Sequence, residues 1–578
     1  MKKSLVLLLL SSLVSGLYAR QPRTVVEPPF AFRNSGTLEI ERIELAPEST
    51  TVYIQAYFRP HNWIRISSET YIRTGAEGEK LTVRSADGMP LDTEFYMPET
   101  GRHDFSLSFP PVDPKTAKID LIESDCPDCF KIYDIDLTGK KAKPGRSALA
   151  KKYKKAAPLT ENFTAPVVSD SPARIAGAIT GYDPRFFDRI EIAFYSPIVG
   201  DGATELSVPV REDGSFETGL NILTPIRGML FLPGFVTLPF YAEPGRETAL
   251  EIDLGAIYRK TSVFKELHPQ TSPVAYYGEL EELARLQKIQ IRTGTLHIGY
   301  HFDRLTRIHG MRPEQYKQYV TEESARRLAQ IDTLKEFCPR SREIAEKTVR
   351  AETLTDLLNY STMMEHAYRT VNKLWDRSQP LDIEIEKPDP AYYDFVNDYP
   401  ANDETMLAAG TTALDALNDF TLYLIATHPQ TQHPGPQNRS FHPDSILNDP
   451  ATVRLIGSDR GILYDLKRFR DMIGRINNGF PLTDAQAQSL DMLFSNRAFA
   501  REVLARQRRI DSLIAENKKK TGFAIGEKSF SSTYGKPGAV LAAGPWKPPS
   551  RSRKSSTAGV SSTSIWPASP RRSRRGTT

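Results

Sequence analysis

The sequence predicts a multidomain α+β protein with two antiparallel β-sandwich units, a long all-α domain and a short, incomplete C-terminal unit that ends in a disordered basic tail. Three observations predict this class. Alternating polar and apolar residues fill much of the first half of the chain, and apolar residues at helical spacing fill much of the second half. Neither pattern continues beyond Trp546. A chain of 578 residues is long enough for several domains.

Composition and charge are those of an ordinary globular protein, with 39% hydrophobic and 25% charged residues. The formal net charge of +4 comes from the C-terminal tail, residues 546–578, which carries eight Lys or Arg and no acid. Without the tail, 67 basic residues face 71 acidic ones and the net charge is −4. The folded part is therefore mildly acidic, and nothing in it favours a nucleic-acid partner.

Residues 1–19 have the three parts of a secretory signal peptide. Lys2 and Lys3 give a cationic start, a leucine-rich run follows, and the segment ends in a small residue at Ala19. No other apolar stretch approaches the length that a transmembrane helix needs. These features predict an exported, periplasmic protein without a transmembrane segment.

Residues 20–138 are predicted to form the first β-sandwich, because period-2 alternation recurs between turn signals. The clearest strands are Thr37–Leu45, Thr51–Phe58, Trp63–Ile66, Leu81–Val83, Phe105–Phe109, Ile119–Ile122 and Phe130–Leu137. A basic linker is predicted at residues 139–165, since Lys140–Pro158 combines eight Lys or Arg with Pro and Gly and shows no core pattern.

Residues 166–256 are predicted to form the second β-sandwich. Ala173–Tyr182 and Ile190–Phe194 read as strands, and Val208–Glu217 reads as a hairpin with its turn at Asp213-Gly214. Met229–Leu232 and a strand pair within Phe240–Leu254 complete the unit.

Residues 257–520 are predicted to form the helical domain. Apolar residues recur at helical spacing in segments separated by Pro or Gly. The segments are Tyr277–Gln290, Pro313–Phe337, Ser341–Met364, Met406–Thr427, Ala451–Ile476 and Thr483–Ile514.

The C-terminal part begins with Gly-Lys-Pro at residues 535–537, a turn signal, and the short apolar run Ala539–Ala543, which could be a buried strand. Several segments together resemble exported Bacteroidetes TlpA/ResA-like (AhpC/TSA-type) thioredoxin-family proteins. They are this C-terminal stretch, the helical segment around Ala391–Pro400, the Ala173–Tyr182 strand, Glu212-Asp-Gly-Ser-Phe216 and the Tyr241–Leu254 strand pair. The resemblance implies a helper region followed by a thiol–disulfide exchange domain, in which Trp-Cys-x-x-Cys follows the first core strand.

The redox pair that the resemblance implies is missing, because the chain reads Trp546-Lys-Pro-Pro549 at that place. We therefore expect residues 521–545 to be the stump of a thioredoxin-like domain and residues 546–578 to be a disordered tail. The tail has two explanations. It is a genuine basic tail or, as we prefer, the product of a change of reading frame, which the nucleotide sequence would decide.

Cys126 and Cys129 are the one Cys-x-x-Cys pair in the chain, and they lie in the turn between two predicted strands. Thiol exchange needs such a pair at the start of a helix, whose amides lower the pKa of the first thiol. Asp125 and Asp128 would raise it instead. We interpret the pair as a structural or incidental disulfide and keep a weak redox role as the alternative.

No catalytic residue, metal site or cofactor is assigned. His297, His301 and His309 are interpreted as surface or packing residues, and the loop histidines His428, His433 and His442 as solvent-exposed residues. The sequence thus favours an exported TlpA-type thioredoxin-like envelope protein, inactive in thiol–disulfide exchange because its Cys-x-x-Cys site is missing. The alternative is a non-enzymatic binding or scaffold protein for a glycan, a peptide or another envelope protein.

Overall fold

The computed structural model describes residues 22–75, 77–139, 148–195, 198, 203–234, 236–264, 272–286, 289, 302–427 and 447–521. The predicted signal peptide, nearly all of the predicted stump and tail, and His297, His301, His428, His433 and His442 lie outside these residues. The described chain is α+β, with sheets in its first half and helices in its second. Two units are distinguished, one running to Ile473 and including Leu482–Gln507, the other made of Gly474–Pro481 and the chain from Arg508 onward.

The first β region contains two five-stranded sheets, in the orders β1-β3-β4-β10-β8 and β2-β12-β11-β6-β7, and a short ladder between β5 and β9. Alternation in the sequence turns Phe105, Leu107 and Phe109 of β10 inward, which confirms the predicted sandwich-like packing. The strands are β1 (Arg23–Val26), β2 (Phe32–Arg33), β3 (Leu38–Leu45), β4 (Thr50–Tyr57), β5 (Trp63–Ile64), β6 (Tyr71–Arg73), β7 (Leu81–Thr82), β8 (Ser85–Asp87), β9 (Phe95–Tyr96), β10 (Arg102–Phe109), β11 (Lys118–Ile122) and β12 (Lys131–Asp136).

The second β region contains two four-stranded sheets, in the orders β16-β13-β19-β20 and β15-β14-β17-β18. One neighbouring pair, β13 with β19, is parallel, so this unit is not wholly antiparallel. The strands are β13 (Ala173–Thr180), β14 (Arg189–Tyr195), β15 (Ala203–Pro209), β16 (Ser215–Leu220), β17 (Ile226–Leu232), β18 (Val236–Ala242), β19 (Glu247–Asp253) and β20 (Val274–Tyr277).

The predicted Val208–Glu217 hairpin is wrong, although its turn is present. Gly214 has a φ of +78° and its amide donates to the Arg211 carbonyl at 2.8 Å, as a tight turn requires. However, β15 and β16 belong to different sheets. The chain crosses the core at this turn, so that Val208 and Phe216 are buried on opposite sheets.

The predicted basic linker is partly ordered and partly buried. A short helix, α1 (Ala148–Lys152), lies within it, and the Leu159 amide donates to the Glu279 carbonyl at 2.7 Å. Phe163 is 9% exposed. Aromatic and aliphatic residues thus tie the described end of this segment to its surroundings, in contrast to the exposed linker that the charge run predicts.

The helical region consists of shorter helices than the sequence predicts, because Gly and Asn residues interrupt the apolar pattern. Asn359, Gly410 and Gly457 each lie at such a break, and the last two have positive φ. The α-helices are α2 (Leu254–Thr261), α3 (Phe302–Ile308), α4 (Pro313–Thr333), α5 (Pro339–Leu358), α6 (Tyr360–Val371), α7 (Thr411–Thr427), α8 (Pro450–Ile456), α9 (Ile462–Asn477), α10 (Asp484–Leu493) and α11 (Arg497–Thr521). In the described part of the chain, none of these is both long enough and apolar enough to cross a membrane.

The predicted helix over Tyr277–Gln290 is also wrong in its first part. Tyr277 ends β20, and a 3-10 helix occupies Glu281–Arg285 after Gly278, whose φ is +84°. Leu280, Leu283, Leu286 and Ile289 are nevertheless all buried, as their spacing predicts. Further 3-10 turns lie at Pro390–Asp398 and Glu404–Ala409.

A buried ion pair fixes α5 against the second β region. Arg340 in the first turn of α5 donates to Glu243, which follows β18, at 3.0 and 2.7 Å. Tyr241 donates to the same carboxylate at 2.9 Å, and the Arg340 guanidinium lies 3.6 Å from the Phe163 ring centroid. Because all these groups are buried, the pair requires this geometry to offset its desolvation.

Candidate functional site

The structure places Cys126 and Cys129 in the turn between β11 and β12, as predicted. The two sulfur atoms are joined in a disulfide, with Cα atoms 5.4 Å apart. Residues 123–130 form turns and bends with no helix. Neither cysteine therefore lies at a helix N-terminus, where backbone amides would favour a thiolate. A redox role for the pair stays a prediction.

Polar contacts fix this turn to neighbouring segments of its own sheet, next to β2, β6 and β7. The Asn34 side-chain amide donates to the Cys129 carbonyl at 2.8 Å, and the Ser124 hydroxyl lies 3.3 Å from the Cys129 sulfur. Asp125 accepts from Lys80 at 2.6 Å and from Tyr71 at 2.9 Å, and these hydrogen bonds hold its pKa below the usual value. These contacts favour a structural role for the disulfide.

Of the six histidine candidates, His309 is the one that lies among the described residues. His309 follows α3 and stacks against Tyr368, with ring centroids 6.1 Å apart. Within the described residues, no three His, Cys, Asp or Glu side chains come close enough together to hold a metal ion.

A cleft of about 320 Å³ lies along one face of α5. Residues three and four apart share a face of a helix, so Pro339, Arg342, Glu343, Glu346, Lys347 and Arg350 line up along it. The opposite face of α5 carries Ile344, Ala345, Thr348 and Ala351, which are buried. Asn162, Pro400, Asp403 and Met406 complete the wall.

One side of the cleft is closed by its own hydrogen bonds. The Lys347 ammonium lies 3.4 Å from Glu343 and 3.7 Å from Asp403, and it donates to the Thr405 hydroxyl at 2.5 Å. Glu343 also accepts from the Phe163 amide at 2.6 Å. These charges hold the cleft wall together and are not available to a ligand.

The other side of the cleft presents two arginines without such partners. Arg342 and Arg350 flank Glu346 at four-residue spacing, and among the described residues neither guanidinium has an ion-pair partner within 4.0 Å. The Arg342 Nε atom is buried and has no hydrogen-bond partner. A buried donor that lacks a partner costs free energy, which a bound acceptor would recover.

Burial, followed by the charge of Asp332, raises the pKa of Glu346, while Arg342 and Arg350 act in the opposite direction. The cleft thus contains two guanidinium cations and one carboxyl group, Glu346, whose ionised form is disfavoured by burial. A carboxylate is the group that matches a guanidinium best, since it accepts two parallel hydrogen bonds from it. A volume of about 320 Å³ fits a small ligand.

The sequence analysis identifies no residue of this cleft. The pattern that could have indicated it is Arg342, Glu346 and Arg350, which are spaced four residues apart on the predicted Ser341–Met364 helix. Such a pattern usually marks a solvated face, and the walls that convert it into a cleft come from segments distant in sequence, including Asn162 and Asp403.

Comparisons with known proteins leave the family of this chain open. No family model and no curated protein matches it. Among solved structures, the crystal structure of a pullulanase from Anoxybacillus sp. LM18-11 matches 33% of this chain and 24% of its own, with 8% identity and a TM-score of 0.14. A likeness at that level carries no argument about the function of this chain.

Proposed function

We propose that this protein is an exported envelope protein, similar in architecture to the large TlpA-like thioredoxin-family proteins, that binds short peptides through a free carboxylate. In this proposal it does not carry out thiol–disulfide exchange. The cleft on α5 is the observation that carries the proposal, because Arg342 and Arg350 face it without partners in the described chain.

The ligand class follows from the charges of the cleft. Lys347 is already paired with Glu343 and Asp403, which leaves two guanidinium groups against the single carboxylate of Glu346. A peptide carboxylate would pair with the arginines, and its short chain would occupy the remaining space. Hydrogen bonds to charged groups contribute about 1.5–3 kcal/mol each, so the loss of one arginine should weaken binding at least about tenfold.

Calorimetric titration of the purified protein with acetylated tripeptides, each with a free or an amidated C-terminus, tests the proposal. We expect binding of free-acid peptides and at least about tenfold weaker binding of the amides. Arg342→Ala and Arg350→Ala should weaken binding of the free acid, whereas Glu346→Gln should strengthen it by removing a like charge. Arg326→Ala, which removes an exposed arginine of α4, is the matched control. Equal affinities for acids and amides would refute the proposal.

The competing hypothesis, thiol exchange at Cys126 and Cys129, is separated by an insulin-reduction assay on the same preparation. We expect no catalysed reduction in the presence of a dithiol donor, and unchanged peptide binding in the Cys126→Ser, Cys129→Ser double variant. If the protein catalyses insulin reduction and Cys126→Ser abolishes that activity, the redox hypothesis is supported.

A further inference from the structure

Two aromatic side chains are exposed side by side on the short ladder between β5 and β9. Trp63 is 48% exposed and Tyr96 is 60% exposed, and the two residues face each other across the antiparallel register. Their neighbours Ile64 and Phe95 pair in the same way and turn inward. Because cross-strand partners have Cβ atoms about 4.5–5.5 Å apart, Trp63 and Tyr96 lie next to each other on the ladder, and both side chains are exposed. We call Trp63 and Tyr96 the aromatic platform.

The backbone around the aromatic platform is firmly held. The His61 amide donates to the Met97 carbonyl at 3.0 Å, and the Met97 amide donates to the Asn62 carbonyl at 2.9 Å. His61 has a φ of +63°, a conformation that costs free energy for a residue with a side chain and is enriched at functional sites. Beneath the platform, Phe95 stacks on His103 with centroids 4.1 Å apart. A ligand would therefore meet a surface that needs little ordering.

Two carboxylates lie beside the aromatic platform. Glu94 accepts from the Tyr96 hydroxyl at 3.0 Å, and Glu99 lies 3.0 Å from the His61 ring. Carboxylate oxygens accept hydrogen bonds from hydroxyl groups and repel anions. The platform is thus complementary to an uncharged ligand with hydroxyl groups rather than to an anionic lipid surface or an acidic peptide.

The exposed area decides against a protein partner. A fully buried aromatic side chain covers roughly 150–250 Å². Two half-exposed rings therefore offer about 200 Å², well below the roughly 800 Å² per partner that a stable protein interface uses. A sugar ring is much smaller and presents a flat face of C–H groups, which carry partial positive charge and match the negative face of an aromatic ring.

We propose that the aromatic platform binds an uncharged polysaccharide, with pyranose rings stacked on Trp63 and Tyr96. The sugar hydroxyls at the ring edges would reach the polar rim that Glu94, His61 and Asn62 provide. This site lies in the first β region and takes a different ligand class from the cleft on α5. Its test therefore succeeds or fails independently of peptide binding.

Affinity electrophoresis of the full chain in native gels tests the proposal. The gels contain amylopectin, laminarin, xyloglucan or yeast mannan. We expect at least one of these to retard the protein, with the dissociation constant raised at least about tenfold by Trp63→Ala or Tyr96→Ala. Tyr96→Phe keeps the ring and should preserve retardation. Trp375→Ala removes a tryptophan that is 70% exposed and serves as the matched control.

Urea unfolding of each variant shows whether the alanine variants are folded. If an alanine variant is misfolded, the retardation of Tyr96→Phe is compared with that of Tyr96→Leu instead. No retardation in any of the four polysaccharides would overturn the proposal. So would retardation that survives both alanine substitutions. Sedimentation with phosphatidylglycerol vesicles, or retardation by heparin alone, would assign the platform to a charged partner and would equally overturn it.

Discussion

Burial controls the protonation of Glu346. Its pKa is raised above the ordinary value of 4.5, chiefly by desolvation and then by the charge of Asp332. As pH rises from 4.5, the unfolded chain ionises this carboxyl first, while the folded chain still holds the proton. The folded state therefore loses stability through that window, and ionised Glu346 destabilises it at neutral pH.

We accordingly expect Glu346→Gln to raise the urea midpoint at pH 7 and to leave it unchanged at pH 3.5, where both states are protonated. Because the other carboxylates titrate identically in both proteins, the difference between the two pH profiles isolates Glu346. Equal midpoints at pH 7, or a difference that persists at pH 3.5, would show that desolvation does not control this group.

The sequence predicted individual residues best where the chemistry is local. The turn that holds Cys126 and Cys129 follows from the strands on either side of it, and the structure contains it. Arg342 and Glu346 could not be recognised, because their significance depends on Pro400 and Asp403, which close the cleft from a distant segment. Helical spacing reports which residues share a face but not what covers that face.

At the scale of elements, Gly177 shows how closely neighbouring strands pack within one sheet of the second β region, because Phe216 and Leu250 are its partners on either side. A Cβ atom on Gly177 in β13 would lie 2.3 Å from the Phe216 ring and 2.8 Å from the Leu250 carbonyl oxygen. Leu250 O is backbone and Phe216 is 1% exposed, so neither atom can move aside easily. The glycine is required for space rather than for a special backbone conformation.

We expect Gly177→Ala to lower the free energy of unfolding by about 1–3 kcal/mol, the usual cost of overpacking a core. Urea denaturation followed by circular dichroism measures it. Gly36→Ala is the matched control, because a Cβ there meets nothing within 4 Å and the backbone is not left-handed. That variant should be neutral or slightly more stable. Equal stability of the two variants would contradict the packing argument.

Strands and helices were predictable as segments, but their pairing and their ends were less so. The Asp213-Gly214 signal does mark a turn, yet a turn signal carries no information about which sheet the next strand joins. Similarly, the apolar pattern of Thr483–Ile514 continues across Ser495 and Asn496, although these two residues separate α10 from α11. Their backbone amides donate to the Asp465 carboxylate in α9 instead of to a helix. Tertiary contacts of this kind override local periodicity.

At the scale of the whole molecule, the two β regions share one hydrophobic cluster. Phe32 and Tyr133 of the first region pack with Phe186 of the second and with Tyr258 of α2, and the Phe32 and Phe186 rings stack with centroids 5.1 Å apart. The Arg185 guanidinium also reaches across to Asp120, which is 1% exposed, at 3.1 Å. The basic linker separates the regions in sequence but does not separate them energetically, which no local pattern could reveal.

This shared cluster predicts that the two β regions lose stability together. Phe32→Ala should cost about 3–5 kcal/mol, as removal of a buried aromatic ring does. Amide hydrogen exchange should then accelerate both at Ile54 in β4 and at Ile192 in β14, although the substitution lies in β2. Phe58→Ala, which removes a ring that is 41% exposed, should change neither. Faster exchange at Ile54 with unchanged exchange at Ile192 would mean that the regions unfold independently. In that case the contact between Phe32 and Phe186 would be a surface of association rather than part of a common core.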